Sequence, residues 1–594
     1  MKGKIRAILI TCTVLLVGTA AFLWKMNDMS DSLSTENQTQ MAEEKDLLEN
    51  QKGKVIDSVN TVDINPLYLS GKNKNVITTA FSSIDEVYTV KKSAAVEENI
   101  TTIKESGTYT PQNPLWGYDI YGTNRNSMYV YFTTTGNCYC KYTISVKDSK
   151  IPDFTRIADN SSEKNLTKEH EYALVGFVPG VENFVTLQLY NSNDKLSEKV
   201  TFSVTMPRSR VEAKTILATE NGRSRTEVSN GLFVVFQDGK KVSYDKKGKS
   251  KKYAILLYDN SGVLRGEIPT DRYIGHNFEV IYDTLTYAVS ENEIAQVNFL
   301  GQVTKVCTLA GYRQSGSFCY DGYGNIYVIA SANKKGSSPK SKILRLQLEN
   351  GAVKQVVDME DILSPVYKKA VKKAGKKNTD WICLNGVQVT GTNAVLVSSP
   401  KLSSLIKVSK IGSLLPKIDY IIADKKLYKD YKSLYKKVLK KVSKEAKDGE
   451  ATEEPTQTPG VDSILDTNKE KPEPFVSQYG QSDISYKAKG GGKAYISMLN
   501  NNYGGRAARS GLSYYCMYYV DQSSKTYSQV TNQKFVQTKK EGSAKKKENG
   551  YLYCCSDTCT FAEYDKSGTQ IKAFHTGKRP FYVEKNDFKN VWFD

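Results

Sequence analysis

A strand motif that recurs six times constrains the fold of this chain more than any other feature. In each copy, a short run of β-branched and aromatic residues ends in small or polar ones. The copies are "GLFVVFQ" (231–237), "DTLTYAVS" (283–290), "GNIYVIAS" (324–331), "NAVLVSSP" (393–400), "KAYISMLNNN" (493–502) and "GYLYCCS" (550–556). Hairpin-turn glycines such as Gly262, Gly301 and Gly351 recur at roughly 40 to 50 residues, the interval of four-stranded propeller blades. Six such units predict a six-bladed β-propeller over residues 208–594.

The residues before this repeat have a different pattern. Segments of alternating polarity occur between residues 61 and 207, and they are separated by turn-forming stretches such as "VPGVEN". These segments are "MYVYFTT" (128–134), "CYCKYTISVK" (138–147), "YALVGFV" (172–178) and "FVTLQLYN" (184–191). Such alternation is typical of half-buried antiparallel strands, so we expect an N-terminal β-sandwich at 61–207 and an all-β chain.

The N-terminal sequence predicts a membrane signal. Lys2, Lys4 and Arg6 precede an uncharged run at 7–24 that Lys25 closes. The run is just long enough to span a bilayer with its basic side in the cytoplasm. We therefore expect a signal anchor at 1–25, a polar stalk at 26–60, and an ectodomain outside the cell membrane. The small residues of "GTAA" (18–21) leave a cleaved signal peptide and a secreted chain as the alternative.

One polar segment interrupts the repeat. Residues 445–474 are rich in charged residues and proline and hold few core-forming side chains, which predicts a flexible insertion between the fourth and fifth blades. Just before it, residues 420–442 carry Leu434, Val438, Leu439 and Val442 at helical spacing. We expect this stretch to be an excursion that packs on the propeller.

The formal net charge is +19, and lysines concentrate at 240–252, 368–377 and 425–441. No zinc finger, helix-turn-helix or RNA-binding sheet signature accompanies these runs, so the pattern favours solvated surface over a nucleic-acid interface. An anionic cell-envelope polymer is a candidate partner.

The cysteine pattern favours neither a metal site nor a full set of disulfides. Ten cysteines occur, and the nine outside the apolar run cannot all pair within one chain. Cys554, Cys555 and Cys559 lack the paired spacing and nearby histidines of a zinc site, so no metal and no cofactor is predicted.

Longer motifs carry a family resemblance. They are "YGTNRNSMYVYF", "YTISVKDSKIPDFTR" and "HEYALVGFVPG" in the first module, and "YDNSGVLRGEIP", "IAQVNFLGQVTKV", "SSLIKVSKI", "PKIDYIIADK" and "FKNVWFD" afterwards. With these motifs the chain resembles the bacterial aryl-sulfate sulfotransferases over most of its predicted ectodomain. That family moves a sulfuryl group from a phenolic sulfate ester to a phenol without a nucleotide donor.

The resemblance implies a site at the centre of the propeller. In the family, one histidine is transiently sulfated, and two further histidines, an asparagine and an arginine surround the sulfate. The matching residues here are Ser482 at the nucleophile position in "YGQSDISYK", Gly316 between Ser315 and Ser317, Cys383 in "DWICLNGVQV", Asn385, and Pro400 at the arginine position. Of these five, only Asn385 keeps the residue type of the family.

The three histidines of the chain, His170, His276 and His575, match none of the family's catalytic positions. A serine is a poor sulfuryl acceptor without an adjacent base. The sequence therefore favours a non-catalytic homologue that binds a phenolic or aryl sulfate ligand or acts as a scaffold. The alternative is an active sulfotransferase with a rebuilt site, in which Cys383 acts as a thiolate.

Two other segments are candidates for ligand contact. The tyrosines of "YYCMYYV" (514–520) offer rings to a phenol or a sugar, although strand aromatics of a propeller are more often core. The loop at 500–511 brings Arg506 and Arg509 as candidate anion-binding groups.

Overall fold

The computed structural model describes residues 76–158, 166–237, 251–271, 277–442, 475, 477–503, 511–589 and 591–593, and the short strands Tyr68–Leu69, Gly71–Lys72 and Lys240–Lys241. The predicted anchor, the whole predicted stalk and the insertion at 445–474 lie outside these residues, as do His276, Arg506 and Arg509. Within the described part of the chain, no helix is long and apolar enough to cross a membrane.

The N-terminal domain contains nine strands, and two helices lie between its third and fourth strands along the chain. The strands are β1 (Tyr68–Leu69), β2 (Gly71–Lys72), β3 (Val76–Thr78), β4 (Leu115–Tyr118), β5 (Ser127–Val146), β6 (Phe154–Ile157), β7 (Thr167–Val175), β8 (Glu182–Tyr190) and β9 (Leu196–Thr205). The helices are α1 (Ile84–Val87) and α2 (Val90–Ser106).

The long strand β5 belongs to both sheets of this domain. Its first half pairs with β4 and β7, and its second half pairs with β6 and β8. The register shifts between Thr133 and Cys138, where the strand passes from one sheet to the other. Trp116 on β4 meets Phe202 on β9 with ring centroids 5.1 Å apart, so the two sheets share one core. This is the sandwich that the alternating segments predict.

The described residues from 218 onward form six sheets, which are antiparallel apart from one short parallel pairing at 440–441. The first blade contains β11 (Leu232–Gln237), β12 (Lys240–Lys241), β13 (Lys251–Tyr258) and β14 (Leu264–Thr270), and the second contains β15 (Phe278–Ile281), β16 (Thr284–Ala288), β17 (Glu293–Val297) and β18 (Val303–Thr308). The third blade contains β19 (Tyr312–Tyr320), β20 (Asn325–Ala332), β21 (Lys342–Gln347) and β22 (Val353–Asp358). The fourth contains β23 (Gly386–Gly391), β24 (Ala394–Ser399), β25 (Ser404–Ser409) and β26 (Lys417–Ile422).

The fifth blade contains β27 (Lys440–Lys441), β28 (Ser482–Gly490), β29 (Lys493–Asn500), β30 (Leu512–Asp521) and β31 (Thr526–Val536). The sixth contains β32 (Ser543–Lys547), β33 (Gly550–Cys555), β34 (Thr560–Asp565) and β35 (Gln570–His575). Each of the six recurring motifs forms the strand next to the inner one, one motif per blade. Six blades are therefore confirmed, and the apolar motifs are explained by burial of these strands on both faces, as in β11, β24 and β33.

Both ends of the propeller sequence close the ring. The final strand β36 (Pro580–Asn586) pairs with β11 and becomes the inner strand of the first blade. Near the start, β10 (Ala218–Asn221) pairs with β35 and extends the sixth blade. These two pairings join strands that are distant in sequence, and they leave no gap between the first and last blades.

Residues 420–442 fold as an excursion, but not as one helix. After β26 come a 3-10 turn (Lys425–Tyr428), the single-turn helix α5 (Lys432–Tyr435) and β27. Leu434 and Val438 are buried in the core of the fourth blade, and Leu439 is buried beside the fifth. Two further helices, α3 (Met359–Ile362) and α4 (Ser364–Ala374), follow the third blade.

The inner strands of neighbouring blades are tied by polar side chains near their first residues. In each case, a side chain of one inner-strand region bonds the backbone at the start of the next blade. The pairs of this inter-blade ring are Asn277 with Phe318, Ser317 with Val387, Asn385 with Gln481, Asp483 with Ala544, and Ser543 with Val583. These five links connect the inner strands from the second blade round to the first.

Candidate functional site

A cavity of about 810 Å³ lies where the inner strands begin. Its lining includes all five positions carried over from the family, which are Ser482, Gly316, Cys383, Asn385 and Pro400. They come from the third, fourth and fifth blades and are separated by up to 166 residues of sequence (482 − 316). The fold therefore brings the five positions together, as the resemblance implies.

Local structure explains how each of these residues reaches the cavity. Gly316 lies in an irregular part of β19, where the register with β20 shifts between Gln314 and Phe318. A Cβ at Gly316 would lie 3.0 Å from the side chain of Ile329, so the backbone there packs closely against β20. Pro400 follows β24 directly, and Ser482 is the first residue of β28.

The Ser482 hydroxyl is used as an ordinary hydrogen-bond donor. Its Oγ lies 3.1 Å from Asn501 Oδ1 and 3.4 Å from the Gly542 carbonyl oxygen. The Asn501 amide nitrogen donates to the carbonyls of Thr538 and Glu541, which orients its oxygen towards Ser482. Among the contacts that the structure describes for this hydroxyl, none is with a titratable group that could serve as its general base.

The Cys383 thiol is in the cavity but is held in its neutral form. Burial raises the pKa of Cys383, and nearby Asp380 raises it further, while Lys340 and Lys401 lower it. The net effect is upward, so the thiol stays protonated at neutral pH. A protonated thiol is a weak nucleophile, since the thiolate is the reactive species.

Lysines surround the cavity. Lys340, Lys401, Lys539 and Lys540 line it together with Glu291, Asp380 and Glu541. Lys401 is paired with Asp380 at 3.5 Å, and Glu541 is paired with Arg579 at 3.1 Å. Lys340, Lys539 and Lys540 form no ion pair with any carboxylate that the structure describes. The cavity therefore keeps a surplus of positive charge at its wall.

Aromatic rings complete the lining. Tyr503 and Phe581 both face the cavity, and Tyr503 is 42% exposed. The Lys539 ammonium lies 6.0 Å from the centroid of the Tyr503 ring. A cation and an aromatic face side by side suit a ligand that is both anionic and aromatic.

Three of the fifteen non-glycine residues with positive φ in the described part of the chain lie at the cavity. Lys340, Cys383 and Glu541 have φ values of 51°, 51° and 61°, in the left-handed region that non-glycine residues seldom adopt. All three line the cavity. Strained residues of this kind persist where the surrounding structure holds them, and they cluster at binding and catalytic sites.

Family comparisons cover both domains. The family described as Arylsulfotransferase (ASST) matches residues 217–577, and the Arylsulfotransferase Ig-like domain matches residues 115–207. The chain belongs to the arylsulfotransferase family. The first match covers the propeller and the second covers most of the sandwich, so the family and the two-part fold predicted from the sequence are confirmed.

Comparison with curated protein sequences gives no match. Among solved structures, the periplasmic gluconolactonase of Pseudomonas aeruginosa is 8% identical, over 75% of this chain and 98% of that one, with a TM-score of 0.32. An auxiliary nutrient binding protein from Bacteroides thetaiotaomicron is 9% identical, over 78% of this chain and 92% of that one, with a TM-score of 0.30. At such scores these likenesses carry no argument about function.

Two histidines of this arylsulfotransferase family member lie away from the cavity. His170 is fully buried in the sandwich, where it stacks on Phe132 and burial lowers its pKa to about 4. Its Nε2 lies 3.3 Å from Cys138 Sγ, a contact between two buried neutral groups. His575 ends β35 on the outer side of the sixth blade. Neither lines the cavity.

The tyrosine-rich strand is core, and the loop before it contributes to the site. Tyr514, Tyr515 and Tyr518 are at most 5% exposed inside the fifth and sixth blades, so they present no ring to a ligand. Tyr503, in the segment singled out for its arginines, does line the cavity.

Sequence reasoning missed the lysines of the cavity. Lys539 and Lys540 stand just before the inner strand of the sixth blade, at nearly the place that Ser482 has in the fifth. Blade equivalence is the signal that would have found them. Lys340 gave no such signal because it lies in a turn whose path the repeat does not determine.

Charged residues from four inner strands of the arylsulfotransferase propeller interact with one another. Lys545 on β32 forms an ion pair of 2.7 Å with Asp483 on β28. Burial raises the pKa of Glu584 on β36 to about 7, and the nearby carboxylate of Glu279 on β15 adds to the rise. Lys545 and Lys547 act in the opposite direction on Glu584, as does a hydrogen bond from Tyr582.

Proposed function

We propose that this arylsulfotransferase family member binds an anionic aromatic ligand of the phenolic sulfate class in its central cavity and does not transfer the sulfuryl group. One observation carries the proposal. The cavity keeps its cations and aromatic rings, while the described bonds of the Ser482 hydroxyl, at the nucleophile position, go to an amide oxygen and a carbonyl.

The chemistry of transfer explains why activity is lost. A sulfuryl acceptor must be activated by a base or by a lowered pKa. Ser482 has neither among its described contacts, and the pKa of Cys383 is shifted the wrong way. Groups that act as one catalytic unit lose their effect together when several are replaced, because their contributions are not additive.

The same cavity retains what binding requires. Its volume lies within the range of about 300–1,000 Å³ of small-molecule sites. Lys340, Lys539 and Lys540 provide positive charge that no described carboxylate pairs, and Tyr503 and Phe581 provide apolar faces for an aryl ring. Ser315 Oγ and Asn385 Oδ1, on residues of the cavity wall, have no hydrogen-bond partner among the described atoms.

Calorimetric titration of the full chain tests the binding. We expect para-nitrophenyl sulfate to bind more tightly than para-nitrophenol or inorganic sulfate, because only the ester uses both the rings and the lysines. The double variant Lys539→Gln/Lys540→Gln should weaken binding of the ester by about threefold to tenfold, as expected for exposed charge pairs. The matched control is Lys147→Gln on the sandwich, where the side chain is 77% exposed. Equal or absent binding of all three probes contradicts the proposal.

A transfer assay tests the absence of catalysis. The full chain is mixed with para-nitrophenyl sulfate and a phenol acceptor, and released nitrophenol and sulfated protein are measured by absorbance and mass spectrometry. No turnover above background is expected. Turnover that Ser482→Ala or Cys383→Ala abolishes, with a sulfuryl adduct on that residue, would instead establish an enzyme with a rebuilt site.

The rebuilt-site alternative rests on Cys383. The Cys383 thiol lies in the cavity, and Lys340 and Lys401 act to lower its pKa. A bound sulfate ester would displace water there and change this balance. The Cys383→Ala variant decides the matter, since the binding proposal expects unchanged ligand affinity and the enzyme alternative expects lost turnover.

A further inference from the structure

The outer side of the fourth blade carries a continuous basic surface. We call it the blade 4 basic face and define it by α4 with its extension to Lys377, the β25–β26 turn at 410–417, and the segment 425–441. Lys369 on α4 forms an ion pair of 2.9 Å with Asp430. Val366 of α4 shares one buried core cluster with Leu434 and Val438, so α4 and the segment 425–441 lie side by side.

A cleft of about 460 Å³ joins the turn to the same surface. It is lined by Leu415, Pro416 and Lys417 on one side and by Leu434 and Lys437 on the other. The three parts of the basic face are therefore adjacent in space, although the paired residues Lys369 and Asp430 are 61 positions apart in sequence.

The charge of this face is almost entirely positive. Its only acidic residue is Asp430, which Lys369 already pairs, and Asp361 and Asp424 lie at its borders. The exposed lysines are Lys368, Lys369, Lys372, Lys373, Lys376, Lys377, Lys410, Lys417, Lys425, Lys426, Lys429, Lys432, Lys436, Lys440 and Lys441. So many like charges on one surface repel each other unless an anionic surface meets them.

Large apolar side chains stand among these lysines. Leu414 is 100% exposed and Leu415 is 81% exposed at the tip of the turn, and Leu427 and Tyr435 are 50% and 38% exposed nearby. Lys410 and Lys417 flank the leucine pair on both sides. Single exposed leucines are ordinary on protein surfaces. Two adjacent, highly exposed leucines surrounded by lysines indicate an interaction surface.

The turn holds the leucines in a defined place. The Gly412 amide donates to the Val356 carbonyl at 2.9 Å, and Lys354 Nζ donates to the Gly412 carbonyl at 3.1 Å. The Ser413 amide donates to the Lys410 carbonyl at 3.2 Å. The base of the turn is thus fixed to the third blade, and its tip projects Leu414 and Leu415 into solvent.

We propose that the blade 4 basic face docks on an anionic lipid bilayer, with Leu414 and Leu415 below the headgroups and the lysines against the phosphates. This combination of an apolar tip and a basic surround is what an interfacial membrane contact needs. A soluble polyanion would satisfy the lysines but leave the leucines in water. The proposal concerns residues 364–441 only and does not depend on the function of the central cavity.

The test uses a reporter on the turn itself, because residues 1–25 of the full chain are predicted to enter membranes on their own. Leu414→Trp is made in the full chain, which also carries Trp24→Phe in every variant of this test so that no native tryptophan reports on that segment. It is mixed with phosphatidylcholine vesicles, with or without phosphatidylglycerol. With phosphatidylglycerol present, we expect the added tryptophan to shift its emission to shorter wavelength and to be quenched by brominated lipid. The matched control is Tyr323→Trp, at an exposed turn of the third blade, where Tyr323 is 88% exposed.

Charge variants show whether the lysines drive the contact. Replacing Lys368, Lys369, Lys372 and Lys373 by Gln in the Leu414→Trp chain should raise the lipid concentration for half-maximal shift by about tenfold or more. Added salt should act in the same direction. Thermal melts verify that these surface variants are folded.

Three results would overturn the proposal. The first is an unchanged emission of the Leu414→Trp chain with phosphatidylglycerol vesicles. The second is an equal shift with Tyr323→Trp, which would mean that no particular face approaches the bilayer. The third is a polyphosphate chain that binds in a lysine-dependent way while the vesicles leave the emission of the Leu414→Trp chain unchanged, which would make the face a polyanion site.

Discussion

Glu584 shows how one residue of the channel responds to its surroundings. It lies on β36 inside the propeller, where burial and the Glu279 carboxylate raise its pKa to about 7 from an ordinary value of 4.5. The folded state therefore binds this proton more tightly than the unfolded chain does. The stabilising contribution of the proton is complete below about pH 4.5 and is lost as the pH rises through 7.

We predict that Glu584→Gln removes this pH dependence. Relative to the variant, the parent chain should lose on the order of 1–2 kcal/mol of unfolding free energy between about pH 5 and pH 8, an estimate reduced for contact with channel water. The measurement is urea unfolding of both chains across this range. Lys585, whose pKa burial lowers to about 7, contributes to both chains and cancels in the difference. A constant difference across the range contradicts the prediction, and Glu182→Gln on the sandwich surface is the control.

At the scale of the element, the inter-blade ring includes Asn385, a residue that the family resemblance assigns to the ligand site. Asn385, which the resemblance matches to the asparagine of the family's site, donates through Nδ2 to the Gln481 carbonyl at 2.8 Å. Four other side chains make the equivalent link in other blades. Asn385 therefore links the fourth blade to the fifth in addition to lining the cavity.

Ser543 is the member of the ring that joins the last blade to the first. Its Oγ donates to the Val583 carbonyl at 2.9 Å and accepts from the Val583 amide at 3.0 Å, and the side chain is fully buried. Ser543→Ala leaves both backbone groups of Val583 without that partner, so we predict a loss of about 1–3 kcal/mol in unfolding free energy. Denaturant unfolding measures it against Ser567→Ala on an exposed turn. Equal stability of the two variants would show that the link between the blades is unimportant.

The sequence predicted those strands whose burial is expressed in a pattern of apolar side chains. The second strand of every blade but the fifth is largely apolar because it is buried on both faces, and the repetition of this strand gave the blade number. Inner strands such as β28 and β32 are polar because they face the channel and carry the ring, so apolar patterns do not reveal them. The pairing of β36 with β11 joins residues more than 300 apart in sequence, which no local pattern records.

The candidate site divides in the same way. Motif matching pointed to Ser482 and Cys383, and both residues line the cavity. Lys340 escaped because it lies in a turn, and the partners that make Ser482 a simple donor, Asn501 and Gly542, are distant in sequence. A residue type is readable from the sequence, whereas the contacts that decide its reactivity come from the assembled blades.

The whole molecule is held together by an interface between the sandwich and the first two blades. Arg265 on β14 is 1% exposed and bonds Asp259 at 2.7 Å within its own blade. It also donates to the carbonyls of Gly176 and Pro152 in the sandwich, at 3.1 and 2.8 Å. The C-terminal Phe593 packs 6.0 Å from Phe154 of the sandwich, so both ends of the propeller sequence contact the first domain.

Because this interface is buried and polar, we predict that the sandwich and the propeller unfold as one unit. Arg265→Met removes the cation that pairs with Asp259 and the donor to two carbonyls, which should cost about 3–5 kcal/mol. In differential scanning calorimetry, the parent chain should show one transition, and the variant should melt at lower temperature with the sandwich released first. Lys147→Met, which removes an exposed ion pair with Glu182 on the same domain, should shift the transition little. Two separate transitions in the parent chain would contradict this coupling, since the domains would then be stable independently of Arg265.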